Sequence, residues 1–361
     1  MLNFNFKRWN LILGWSAFAI AFVVYGLTVE PTVGFWDTGE YILTSSKLEV
    51  GHPPGAPLFQ MLGAFFSVFA LEPTQIGLVL NMMSAAASAF TILFMFWSIV
   101  LLLQKITSSN SASNPNTQIV TLGAAFVGSL AFAFTDSFWF NAVETEVYAM
   151  AALIMAVMFY LGLRWQNEMH MPKGNRWLIL ISFVVGLSFG VHFMGLLTIP
   201  AIGLLYYFKN HKTITFKNFI VANIIVVAIL LFVFKLLAPN ILRYFSASEI
   251  FFVNSVGLPF NSGSVIAFVL LILGIYSGLK YTKSNGLVKL NTGLLCLTFI
   301  IIGFTTWLML PIRANSNVPV NENNPSSARE LLAYYNLEQY PKTHLFYGPQ
   351  FTDQYLSLIH I

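Results

Sequence analysis

Asp37 and Glu40 stand three residues apart in Gly34-Phe35-Trp36-Asp37-Thr38-Gly39-Glu40-Tyr41. One helical turn at that spacing puts both carboxylates on the same face. Phe35, Trp36 and Tyr41 around them are residue types that sit at a membrane–water interface. A carboxylate partly desolvated there has its pKa raised toward the range of a working general base. On the pair alone, a simple helix cap at Asp37 beside a solvated Glu40 explains the spacing equally well. The downstream Gly51-His52-Pro53-Pro54-Gly55 adds an imidazole on a stiff corner. Its two prolines fix φ and push the residue before each toward extended geometry.

Three further segments carry chemistry. Glu144 and Glu146, in Asn141-Ala142-Val143-Glu144-Thr145-Glu146-Val147-Tyr148, diverge on a helix but converge in an extended turn. There they can hold a divalent cation, a substrate hydroxyl or a basic partner such as Arg313. His192 closes Gly186-Leu187-Ser188-Phe189-Gly190-Val191-His192 in the middle of an apolar run, and a polar side chain at that depth normally faces a wet cavity. Arg313 ends the last apolar run in Leu310-Pro311-Ile312-Arg313-Ala314-Asn315. A guanidinium at the interface pairs well with phosphate, or snorkels to lipid headgroups.

The elements that position these residues follow from composition. Of the 361 residues, 57% are hydrophobic and only 9% charged, against about 25% charged in a soluble domain. Thirty-two charges cannot coat a globule of this size, which excludes a soluble enzyme, a nucleic-acid module and a disordered scaffold. The single cysteine, Cys296, excludes a disulfide framework and a Cys-based metal site. An all-α polytopic membrane protein remains.

A membrane span takes about 20 apolar residues. Leu11–Thr28, Gly77–Leu103, Gln118–Thr135, Val147–Leu163, Phe219–Ala238, Val265–Leu279 with its flanks, and Leu290–Ile312 qualify. The first offers no small-residue cleavage site and reads as a retained helix. Two runs are ambiguous: Trp177–Phe208 has 32 residues and Pro57–Leu71 has 15. If the former is a hairpin turning near His192 and the latter an interfacial helix, one side collects Lys7, Arg8, Lys105, Arg164, Lys173, Arg176, Lys209, Lys212, Lys217, Lys280, Lys283 and Lys289. Those are 12 of the 18 basic residues, with Glu168 as the one acid among them. The positive-inside rule makes that side cytoplasmic. Nine spans result, with a cytoplasmic N-terminus and an outer tail.

In this topology a transmembrane domain covers residues 1–312, with a first outer loop at 29–76. Pro239–Ser264 is expected as another outer loop. Residues 313–361 form an outer tail, expected as the start of a longer soluble region. Within it, Ser327-Ala328-Arg329-Glu330 is a capping-box pattern and Tyr347-Gly348-Pro349 reads as a turn. The last residues, Ser357–Ile361, follow without a packed domain, as in a fragment whose end is not native.

Taken together, Trp-Asp-x-Gly-Glu, His-Pro-Pro-Gly, Val-Glu-x-Glu-Val-Tyr, Gly-x-x-x-Gly-x-His and Ile-Arg-Ala-Asn…Asn-Glu-Asn-Asn-Pro resemble a bacterial membrane family known only as a domain of unknown function. Its animal relative, transmembrane protein 260, is a protein O-mannosyltransferase. More distantly, an acidic pair followed by His-Pro-Pro is similar to the established protein O-mannosyltransferases of the GT-C fold. The motifs run from Gly34 to Tyr347. The resemblance implies a GT-C-like glycosyltransferase that takes a sugar, such as mannose, from a polyprenyl-phosphate carrier to a protein hydroxyl. It implies a bacterial inner membrane, with the site on the periplasmic face. It also implies that an acid of the first outer loop is the base, Asp37 or Glu40; these are separated here by Thr38-Gly39, whereas the established pair is adjacent. Trp36, His52, Glu144, Glu146, Tyr148, His192 and Arg313 are the expected substrate-binding residues. The expected partners are the lipid-linked donor, an acceptor protein and the bilayer, without nucleic acid; a divalent cation is the one cofactor allowed for.

A transporter of a small solute or lipid is the competing reading, with Glu144, Glu146 and His192 along a pathway. It is disfavoured because ionisable residues are scarce at mid-span and no internal repeat is present.

Overall fold

A computed structural model describes residues 4–107, 114–341 and 348. The Tyr347–Pro349 turn and the chain end therefore lie outside the described residues. Among those described the protein is all-helical, with one isolated parallel bridge between Val50 and Asn321. Seven helices are long and apolar enough to cross a membrane, and the chain is a polytopic membrane protein.

The centre is α4 (Ile76–Ile106), preceded by α1 (Phe6–Leu27), α2 (Thr38–Ser46) and α3 (Pro57–Ser67), and followed by α5 (Pro115–Ala133), α6 (Asp136–Ala142) and α7 (Val147–Glu168). Against α4 pack α1, α5 and α7. Its stretch Ser84-Ala85-Ala86-Ala87-Ser88-Ala89 is almost wholly buried, because small side chains let neighbouring helices approach closely in a membrane. Although α5 and α7 both lie on α4, they barely touch each other.

The 32-residue run is a hairpin. Its first arm is α8 (Asn175–Ser188); after a turn and a 3₁₀ segment, Phe193–Leu197, the second is α9 (Thr198–Asn210). Then come α10 (Phe216–Leu231), α11 (Ala238–Ile250), α12 (Ser262–Ser284), α13 (Val288–Phe304), α14 (Met309–Ala314) and α15 (Ala328–Tyr335). The tightest pairing is between α8 and α13. A Cβ on Gly186 would stand 2.2 Å from the Ile300 carbonyl oxygen, and one on Gly303 2.5 Å from that of Phe183. The backbones meet where both helices lack a side chain.

One short helix fits its expectation and one expected loop does not. At 11 residues, α3 is roughly 16 Å long and too short to cross, as expected for an interfacial helix. The expected outer loop at Pro239–Ser264 is a correction: helix runs unbroken from Phe216 to Ser255. Pro239 lacks an N–H and its ring presses on the preceding turn. The π-helical turn Phe232–Leu237 just before it widens the backbone and lets the helix pass through. Only about six residues remain as a loop before α12. The extension α11 is the surface on which α15 of the tail packs.

Opposite ends of the bundle differ in character. At one end the only acid near the basic turns, Glu168, bonds Arg164 at 2.9 Å and Arg176 and the Trp177 indole at 2.8 Å each. Lys105 donates to Gln166 in the same region. The other end holds α2, α3, the hairpin turn and the tail.

Candidate active site

Asp37 is the N-cap of α2, yet its side chain makes no capping bond. The carboxylate, 59% exposed, instead lines a cavity of about 130 Å³ together with Tyr41, His52, Glu146, Tyr148 and His192. Glu40, one turn on, is spent on His52. The backbone N–H of His52 donates to Oε1 at 2.6 Å, and Nδ1 lies 3.0 and 2.9 Å from Oε1 and Oε2. Nε2 of His52 is left facing the cavity, 4.0 Å from Asp37 Oδ2. Both acids thus flank His52, but among the described residues the Asp37 carboxylate has only this 4.0 Å approach and no hydrogen bond, whereas that of Glu40 is fully engaged.

Electrostatics follow this division. The hydrogen bonds and charge of Glu40 hold the His52 imidazole above its ordinary pKa, against the effect of burial. Burial alone pushes Glu40 up, but the bonds and charge from His52 outweigh it, and the net shift is downward.

Glu146 is the second carboxyl of the cavity. It caps α7 from an extended conformation and is 5% exposed. Burial, then the charges of Asp37 and Glu144, push its pKa up to about 7, against hydrogen bonds from the Val147 and Asp37 N–H groups. Glu144 is equally buried but turns away, toward Gly34 and the charge of Glu30. The two do not converge. Neither bonds Arg313, and among the described residues no group of three or more His, Cys, Asp or Glu side chains is arranged to hold a metal ion. Between them, Thr145 Oγ1 donates to Asn81 Oδ1, whose amide donates to the carbonyls of Glu30 and Thr32 at 2.7 and 3.0 Å. The first loop is thereby tied to α4.

The hairpin turn supplies the far wall. Gly190 presents its carbonyl to the orphan N–H groups of Leu58 and Phe59 at the start of α3, at 2.7 and 3.2 Å. A Cβ there would sit 2.6 Å from Thr306 Oγ1 and 2.8 Å from Leu58 Cβ. Two residues on, Nδ1 of His192 accepts from the Met194 N–H at 3.1 Å. A neutral imidazole so bound carries its proton on Nε2. The ring lies 5.3 Å from that of Tyr148.

Tyr148 also walls a second space, an apolar groove of about 390 Å³ lined by Phe132, Phe138, Ala149, Ala152 and Met194 among others. It is the gap left where α5 and α7 pack on α4 and not on each other.

Besides Glu144, two more of the expected substrate-binding residues lie off the cavity wall. Trp36 is 85% exposed with a positive φ of 57°, next to the cavity but not on its wall. The Arg313 guanidinium donates to the carbonyls of Leu48 (2.5 Å, from Nε) and Lys47 (3.2 Å) past the end of α2. It is not brought to the cavity wall.

Residues not singled out in the sequence complete the site. Tyr41, edge-on to Phe59 at 5.3 Å, lines the cavity. The tail crosses back: Val50 N–H donates to Val320, Glu322 N–H to Val50, and the Tyr334 hydroxyl to the Gly51 carbonyl at 2.5 Å. The capping-box pattern marks the start of α15, but no local signal names Tyr334 or its partner.

Part of the chain is similar to known proteins. Residues 37–215 match the family described as the Protein O-mannosyl-transferase TMEM260 N-terminal domain. The Protein O-mannosyl-transferase tmem260 of Dictyostelium discoideum is 24% identical over 156 residues, 43% of this chain and 17% of that protein. The mouse (Mus musculus) Protein O-mannosyl-transferase TMEM260 is 22% identical over 173 residues, 48% of this chain and 22% of the relative. The matched part is thus about a fifth of the length of these curated relatives. No solved structure matches the chain. The segment that matches the family carries Asp37, Glu40, His52, Glu146, Tyr148 and His192, and through it this chain is related to the TMEM260 proteins.

Proposed function

We propose that this chain is the membrane part of a glycosyltransferase that moves a sugar from a polyprenyl-phosphate carrier to a protein hydroxyl. The names of the relatives make mannose the first sugar to test. One observation carries the reading: a polar cavity with a free carboxylate shares its Tyr148 wall with an apolar groove between two spans. A donor with a sugar phosphate at one end and a hydrocarbon chain at the other needs both. The cavity is smaller than the ~300–1,000 Å³ that encloses a whole drug-sized ligand, so it suits a sugar with its tail outside.

In this reading Asp37 is the general base. It takes the proton of the acceptor hydroxyl as that oxygen attacks the anomeric carbon. The bond from that carbon to the phosphate oxygen breaks, and the electron pair leaves with the lipid phosphate. The Nε2–H of a protonated His52, whose Nδ1–H is held by Glu40, and the Nε2–H of His192 stabilise the charge that develops in the cavity. Glu40 holds His52 in place, and Glu146 hydrogen-bonds the sugar or the acceptor. Arg313 reaches the phosphate only with those donors of its five-donor fork that Lys47 and Leu48 do not occupy. The fold belongs with the GT-C enzymes in this proposal. The cavity faces outward, opposite the basic turns, under the positive-inside rule.

The test is transfer by the full chain in proteoliposomes, using a radiolabelled polyprenyl-phosphate mannose and a Ser/Thr-rich acceptor polypeptide. Label in the polypeptide, lost in Asp37→Asn, supports the proposal. Solute flux without transfer from any lipid-linked sugar would favour a transporter instead.

A further inference from the structure

The hydroxyl of Tyr334 and the imidazole of His52 are linked through one peptide unit. We propose that Tyr334 is a positioning residue for His52, acting through the backbone corner Gly51–Gly55; this rests on reading the cavity as the transfer site.

Four observations converge on it. The Tyr334 side chain is 1% exposed, wedged beside Trp307 at 6.4 Å between ring centroids. Its hydroxyl donates to the carbonyl of Gly51, the residue before His52, at 2.5 Å. The same hydroxyl lies 2.8 Å from where a Cβ on Gly55 would stand, and Gly55 has φ +73°, so the far end of the corner also closes on this ring. Finally, the chain leading to the corner is held along its length by the tail. Arg313 takes the carbonyls of Lys47 and Leu48, and Val50 pairs with Val320 and Glu322. Tyr334 makes the last of these contacts before His52.

The physical consequence is orientation. His52 makes three short contacts with Glu40, all requiring one backbone placement, since its N–H and its ring bind the same carboxylate. A peptide plane pinned on its carbonyl side cannot rotate freely, so the N–H of His52 stays aimed at Glu40. Releasing the carbonyl lets the plane turn and the ring lose one of its two oxygens. Tyr334, on the buried face of α15, is 283 residues from its partner.

The experiment measures His52 directly. The full chain is treated with diethyl pyrocarbonate in detergent, and carbethoxylation of each histidine is followed by mass spectrometry, with His170 and His211 as internal references. Tyr334→Phe keeps the ring and removes the hydroxyl. It is expected to raise the His52 modification rate several-fold relative to the references, with only the modest drop in thermal midpoint that loss of one buried hydrogen bond brings. Gly55→Ala, which drives a methyl into the hydroxyl, is expected to do the same. Tyr335→Phe is the control: its hydroxyl lies 3.4 Å from the Phe234 carbonyl, away from the corner, and His52 should react as in the parent. In the transfer assay Tyr334→Phe should lower kcat about tenfold and leave the donor KM unchanged. His52 reactivity equal to the parent in both corner variants would overturn the proposal, and so would equal acceleration at every histidine. Absence of transfer by the parent chain would refute the proposed reaction while leaving the reactivity result readable.

Discussion

His52 binds Glu40 twice: its backbone N–H lies 2.6 Å from Oε1, and its ring Nδ1 lies within 3.0 Å of both carboxylate oxygens. Asp37, three residues earlier, has no such partner and opens onto the cavity. This asymmetry separates two acids that local sequence leaves equivalent, and it orders their variants. Asp37→Asn should lower turnover by about 10²–10⁴-fold, the usual worth of a general base, with the donor KM unchanged. Glu40→Gln keeps a carbonyl for the His52 N–H and should lose less. Turnover in the transfer assay decides. Near-parent activity of Asp37→Asn would move the base to Glu146.

Glu146 makes stability depend on pH in a defined sense. Its pKa is near 7 folded, against 4.5 as the ordinary value. Between those values the folded protein keeps a proton that the unfolded chain has released. Stability is therefore lost as pH rises through that window. Glu146→Gln abolishes this loss, which amounts to at most on the order of 3 kcal/mol. Thermal midpoints at pH 4.5 and pH 8 should diverge between parent and variant at the higher pH only. Parallel curves would show that Glu146 titrates normally.

Arg313 bridges two carbonyls just beyond α2, and hydrogen bonds from a charged group are worth about 1.5–3 kcal/mol. Both Arg313→Lys and Arg313→Gln should lower the thermal midpoint, because neither replacement has a planar fork. A rise in donor KM on top of this, larger for glutamine than for lysine, would show that the remaining N–H groups also hold phosphate. Unchanged midpoints in both variants would remove the support role.

Gly186 tests the α8–α13 seam. An alanine Cβ there falls 2.2 Å from a backbone oxygen, and overpacking of this kind costs about 1–3 kcal/mol. Gly186→Ala should melt several degrees lower. Gly274→Ala is the contrast, because nothing lies within 4 Å of its Cβ position; a helical glycine replaced there gains roughly 0.5–1 kcal/mol. Equal midpoints in the two variants would refute the seam as the tightest contact.

The topology is checked from outside. Cysteines introduced at Lys173 and Lys212 should resist an impermeant thiol reagent in intact cells, whereas one at Val33 should react. The reverse pattern would invert the orientation drawn from the basic turns.

Long-range apolar pattern settled the class of this protein and most of its helices, because a bilayer demands a fixed length of hydrocarbon-compatible helix and little else. The hairpin at Trp177–Phe208 and the short α3 were legible for the same reason: 32 residues and 15 residues are the wrong lengths for one span. The helix through Pro239 was not legible, since a π turn that absorbs a proline has no local signature. The motifs around Asp37, His52, Glu146 and His192 were visible because several reactive side chains lie close to one another along the chain. What each does depended on tertiary structure. Only packing turned Glu144 away from Glu146, bound Glu40 and left Asp37 free, and sent Arg313 to the carbonyls after α2. Only packing, too, brought Tyr334 to Gly51. Side-chain partners chosen across hundreds of residues depend on how α13, α14 and the tail fold back over α2 and α3, and no local spacing encodes that path.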